Sequence, residues 1–183
     1  MDIFSYNAAH WHTIICHLPL FNLGFAFVLL LLATALKDGK FQRVALILVI
    51  LTAFLTHFTA ELGEDSEDIV KNLPGVEQQY IEDHEEAAEV AIGLMYGLGA
   101  IALIILLTTF KQKVISGKVI LVMAVLTLGV TGWIAYVNRV GGEINHPENR
   151  PTFIGPDNWI NGGDSSYDTD DDDEYKADEE DDE

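Results

Sequence analysis

The stretch "VAIGLMYGLGAIALIILLTTF", residues 90–110, carries no charged side chain and is bounded by Glu89 on one side and Lys111 on the other. At 1.5 Å per residue an α-helix needs about 20 such residues to cross a hydrocarbon core of about 30 Å. This stretch therefore reads as a membrane-spanning helix. Three further stretches of the same character, residues 13–36, 44–60 and 119–137, make four spans, the second a little short. The expected fold is all-α: an integral membrane four-helix up-down bundle, because the links between spans one and two and between three and four are too short for anything but antiparallel neighbours.

The 183 residues are 49% hydrophobic and carry a formal charge of −19, unevenly placed. Lys37, Lys40 and Arg43 follow the first span and Lys111, Lys113 and Lys118 follow the third, so six of the ten basic residues fall on one side. Short loops rich in Lys and Arg face the cytoplasm. Both termini and the acidic segment 61–89 then face outward, which is the periplasm for a multi-pass protein of a bacterial inner membrane. Ala33-Thr34-Ala35 has the spacing of a signal-peptide cleavage site, but no basic residue precedes the run and the run is too long, so it is taken as an uncleaved helix.

The transmembrane domain is placed at residues 1–150. Within it, segment 61–79 holds the turn signal Asn72-Leu73-Pro74-Gly75, and "VEQQYIEDHEEAAEVAIG" reads as a polar helix entering the third span. Residues 151–163 read as loop. Residues 164–183, thirteen acids and one Lys, cannot bury enough apolar surface to fold and read as a disordered acidic tail. Gly93 and Gly97 on the third span, and Gly129 and Gly132 on the fourth, read as notches for close helix packing, or for a flat cofactor.

All six histidines fall on the outer side. Counting from Lys37 puts His17 at about the hydrocarbon edge, some 20 residues along, and counting from Arg43 puts His57 about 21 Å up. His12 and His84 lie above that surface, and His146 follows the fourth span. An ionisable residue in a membrane is a site candidate by default. Haem iron takes imidazoles from facing helices of a bundle, so b-type haem between His17 and His57, or between His84 and either His12 or His17, is the first cofactor expectation. Copper or zinc held by several of His17, His84, His12, His57 and His146 is the alternative. His10 reads as a bystander, and lone Cys16 as a small buried apolar side chain rather than a thiolate ligand.

Phosphate loop, zinc-protease helix and nucleophile elbow are all missing from the sequence, so no enzyme class is indicated. The charge opposes nucleic-acid binding. Three roles remain: an electron-transfer or accessory subunit holding haem near the periplasmic face and serving a respiratory complex or a c-type cytochrome; a cofactor-free structural subunit of a larger membrane complex; and a periplasmic-face copper or zinc binding protein.

"HTIICHLPL", "LGEDSEDIVKNLPGVEQQYIEDHEEAAE" and "GGEINHPE" together resemble a widespread bacterial family of four-helix membrane proteins, a domain of unknown function, over about residues 10–150. Its members typically begin His-Pro-x-x-x-His-Phe-Pro, and here Thr13 stands in place of the first Pro. They occur beside or fused to c-type cytochrome and Rieske-like modules. The resemblance implies a role near periplasmic electron transfer, and it marks His12, His17, His84 and His146, with Glu67.

Overall fold

A computed structural model describes residues 6–151 and 153. Helix α1 (Ala8–Ile15) and helix α2 (Leu18–Leu36) form one span broken at Cys16 and His17, followed by α3 (Gly39–Val70), α4 (Gln78–Thr108) and α5 (Gly117–Asn145), with a single 3₁₀ turn at Pro147–Asn149. No strand occurs among the described residues. Four spans are long and apolar enough to cross a membrane, and the chain is a multi-pass membrane protein. The sequence expectations for residues 151–183, loop and acidic tail, lie outside the described residues apart from Pro151 and Phe153.

Local chemistry sets the helix ends. The Asn7 side chain caps α1 by accepting from the His10 amide at 3.0 Å. Pro19 sits in the first turn of α2, where its missing N–H costs nothing. The link from α2 to α3 is only Lys37 and Asp38: Lys37 takes a left-handed backbone (φ 53°), and Asp38 accepts from the Lys40 amide at 2.7 Å. Between α3 and α4 the reversal runs through Gly75 at φ 81°, a conformation that disfavours any side chain.

Helices α2, α3, α4 and α5 pack in a ring, each against the next, with α5 closing on α2 and α1 lying across α3. The interior is built from small residues, Ala26, Ala45, Ala53, Ala91, Ala102 and Ala124, interleaved with Leu23, Leu46, Met95 and Met123. Lipid offers no hydrophobic drive between helices, so close approach supplies the packing. Buried Thr52, Thr56, Thr59 and Thr127 each donate back to the carbonyl four residues earlier, at 2.7–2.9 Å, which leaves no hydroxyl unpaired in the core. Large apolar side chains such as Phe21, Phe25, Phe54 and Leu107 point outward, as lipid contact requires.

The glycines behave differently from the sequence expectation. A Cβ on Gly93, Gly97, Gly129 or Gly132 would meet nothing within 4 Å, so these positions are open rather than packed. The close approach is one residue pair away: a Cβ on Gly99 would stand 2.8 Å from the Ala53 Cβ, at the α3–α4 contact. A small residue identifies where helices can approach, not where they do.

Two polar clasps close the ends of the bundle. At the lysine-rich end, buried Gln42 pairs with both backbone groups of Ile115, donating from Nε2 to the carbonyl (3.1 Å) and accepting from the amide at Oε1 (2.7 Å). Beside it, Arg43 donates to the carbonyls of Gly39, Thr109 and Gln112, tying the start of α3 to the segment that follows α4. At the acidic end, Arg150 donates to the carbonyls of Glu143 and Ile144 and to the Glu77 carboxylate (2.6 Å), and lies 4.1 Å over the Tyr80 ring. That clasp fixes the end of α5 against the start of α4.

Candidate functional site

Helix α3 runs on to Val70, well beyond the apolar part of its span, and α4 begins at Gln78. The acidic end of the bundle is therefore a rigid helical extension. Within it, His12, Gly63, His84 and Gly141 each stand about 24 residues, or ~36 Å, from the lysine-rich end of their own span. Ring contacts link these four residues into one layer across the spans, with His12 against Gly63 and His84, and His84 against Gly141.

His12 and His84 face one another in that layer. Their ring centroids are 6.4 Å apart and the rings are nearly perpendicular, at 79°. His12 Nδ1 stands 3.0 Å from the Thr59 carbonyl oxygen. A carbonyl only accepts, so Nδ1 carries the hydrogen and the neutral ring keeps its lone pair on Nε2. This is the arrangement in which a ligating histidine is held by a backbone acceptor behind it.

Both rings rest on glycine. A Cβ on Gly63 would stand 3.1 Å from His12 Cε1, and one on Gly141 would stand 2.8 Å from His84 Cε1 and 3.0 Å from its Nδ1. His84 Nδ1 is buried and has no hydrogen-bond partner; the Val137 carbonyl is near it but outside hydrogen-bond geometry. Among the described residues one other buried side-chain polar atom lacks a partner, Asn138 Nδ2, one turn before Gly141 on α5. Buried polar groups are almost always paired, so these two unpartnered atoms, about one turn apart in height, single out this part of the bundle.

The other histidines are engaged elsewhere. His17 is exposed, at the break between α1 and α2. His12 is half-buried, bonded to the Thr59 carbonyl and in ring contact with His84, so the structure brings His12 rather than His17 to the pair. Depth alone favours His17; the helical face selects His12. His57 bonds the Tyr96 hydroxyl (3.0 Å) and lies 3.4 Å from Glu61. His146 pairs with Glu148 at 3.0 Å, and this bond, with one from the backbone amide of Glu148, holds that exposed carboxyl below the usual carboxylate range. His10 stacks on Tyr6, and Cys16 is half-buried, with Sγ 3.4 Å from the Thr13 carbonyl.

Among the described residues no group of three or more His, Cys, Asp or Glu side chains converges as a metal site. The donor set on offer is a pair of imidazoles. Around it lie carboxylates: Glu85 is within electrostatic reach of Glu67, Glu82, Glu89 and Glu64, a negative face carried by α3 and α4.

Residues 4–137 match the family described as the transmembrane region of lysyl-tRNA synthetase. No curated protein and no solved structure matches the chain. The matched family does not bear on the resemblance to the four-helix family of unknown function.

Proposed function

The chain belongs to the family of the transmembrane region of lysyl-tRNA synthetase, and on that footing we propose that it is a membrane electron-transfer or accessory subunit that holds b-type haem between His12 and His84. The family description names a membrane region rather than a reaction, so the reading rests on the site. The observation that carries it is the facing pair of imidazoles, with the His12 lone pair left free by the Thr59 carbonyl.

The residues fit such a group. His12 and His84 would hold it through their imidazoles, whose ring centroids stand 6.4 Å apart. A pair of imidazoles would suffice to hold haem, whereas zinc or copper alone would call for three or four protein ligands. The pair therefore favours haem over the copper or zinc alternative. Bound there, haem would supply one-electron transfer at a potential set by its ligands and burial.

The chain's own residues orient and shield that pair. Thr59 fixes the His12 tautomer, Gly63 and Gly141 leave the rings room, and the Arg150 clasp holds α5 and α4 together beside them. The lysine-rich loops at the opposite end support a reading in which this end faces the periplasm. The carboxylates around Glu85 suit a basic soluble partner such as a c-type cytochrome, whose approach they would accelerate in a salt-dependent way. The resemblance to the four-helix family found beside cytochrome modules supports the same placement.

The test is spectroscopic. Purified protein, as isolated or after haem reconstitution, should show a Soret band that shifts on dithionite reduction. Protein that stays colourless after reconstitution would sink the reading and leave a cofactor-free structural subunit.

A further inference from the structure

At the lysine-rich end, far from the histidine layer, a groove of about 260 Å³ runs between α4 and α5. Ile101 and Ile105 form its α4 wall, Val122 and Leu126 line it from α5, and buried Met123 lies beneath. Its one charged lining residue is Lys118, in the first turn of α5. Lys118 and Leu126 are eight residues apart, about 12 Å along the helix. One leaflet of a core about 30 Å thick is ~15 Å deep. The groove therefore follows the membrane normal through most of one leaflet, with a cation at its headgroup end.

The charge at that end is unbalanced. Lys111 and Lys113 lie in the link that joins the two walls, and Lys37, Lys40 and Arg43 lie around the turn between α2 and α3. With Lys118 these make six cations, against the single acid Asp38, whose carboxylate already accepts from the Lys40 and Phe41 amides. Arg43 is engaged by backbone carbonyls. Lys111, Lys113 and Lys118 enter no ion pair among the described residues. A cation at headgroup level over an apolar slot suits an anion with hydrocarbon attached.

We propose that the groove between α4 and α5 holds one acyl chain of an anionic phospholipid whose phosphate pairs with Lys118. Calibre argues for a lipid chain over a partner helix. A helix about 10 Å across would fill on the order of 900 Å³ over the same length, several times the groove, whereas a single hydrocarbon chain is slim enough to enter. Charge argues for an anionic head: a zwitterionic lipid would fill the walls but bring an ammonium group against the lysines. A soluble anion would meet Lys118 and leave the apolar walls unfilled. Basic pockets between membrane helices hold anionic headgroups by this combination of charge and cleft. The site shares no residue with the His12 and His84 pair and stands without the cofactor reading.

The experiment places phosphatidylserine bearing a diazirine in one acyl chain into phosphatidylcholine nanodiscs with the purified protein, and maps the photocrosslinked residues by mass spectrometry. Crosslinks should concentrate on Ile101, Ile105, Val122 and Leu126, and unlabelled phosphatidylserine should compete where added phosphatidylcholine does not. At sub-saturating label, Lys118→Gln should lower the groove yield about fivefold, the usual weight of one lysine at an anionic surface. Val122→Trp, at a position 60% exposed, fills the groove and should abolish its crosslinks. Leu121→Trp, exposed and outside the groove, should leave them as in the parent. Labelling spread evenly around the bundle, or equal with a phosphatidylcholine analogue, would overturn the site, as would parent-like yields in Val122→Trp or Lys118→Gln. A photoreactive residue at position 122 that joins to protein rather than lipid in native membranes would overturn it in favour of a subunit contact.

Discussion

Gly141→Ala is expected to fold as the parent does and to bind haem about 10–100-fold more weakly, the loss usual when the support of a ligating histidine is disturbed. The added methyl would stand 2.8 Å from His84 Cε1 and 3.0 Å from Nδ1. No contact at those distances survives, and the group that gives way is the His84 ring. Gly63→Ala should act in the same direction on His12 but more mildly, because its closest approach is 3.1 Å. Haem titration of both variants, with unfolding followed in the same detergent, separates a displaced ligand from a weakened fold. Parent-like affinity in Gly141→Ala would mean that His84 is not held where the ligand needs it.

The largest stability effect is expected at the opposite end. Gln42 is 1% exposed and satisfies both the amide and the carbonyl of Ile115, itself 1% exposed. Gln42→Leu keeps the volume and removes both partners, leaving two buried backbone groups unpaired. At about 1–3 kcal/mol for each such group, the cost is roughly 2–6 kcal/mol. Thermal unfolding in detergent should show a markedly lower midpoint, while haem affinity in the folded protein stays that of the parent, because the clasp and the histidine layer are about 36 Å apart along the helices. An unchanged midpoint would show that water already reaches Ile115.

The four spans are legible in the sequence because hydrocarbon thickness acts directly on composition. Helix ends are less so. Hydropathy ends the second span near Ala60, yet α3 continues through Glu61, Glu64 and Glu67 to Val70, because good helix-forming residues extend a helix that lipid no longer constrains. The candidate site was half visible. His12 with His84 stood among the expected pairs, but depth ranked His17 above His12, and depth says nothing about which way a residue points around its helix. The exposure of His17 at the break and the contact of the His12 ring with His84 separate the two.

Other parts of the site depend on pairings that hydropathy does not read. Gly63 and Gly141 have no glycine four residues away, so the Gly-xxx-Gly motif passes over them in favour of Gly93 with Gly97. Their contact with the His12 and His84 rings depends on which helices are neighbours in space, which no single stretch of sequence states. Tyr96 shows the same limit: its bond to His57 depends on α3 and α4 being neighbours.

The central claim is that His12, rather than His17, completes the pair with His84. Electron paramagnetic resonance of the haem-loaded ferric protein tests it most directly. The account predicts a low-spin, two-imidazole signal in the parent and in His17→Ala, and its loss in His12→Ala and His84→Ala. A signal that survives in His12→Ala and disappears in His17→Ala would contradict it.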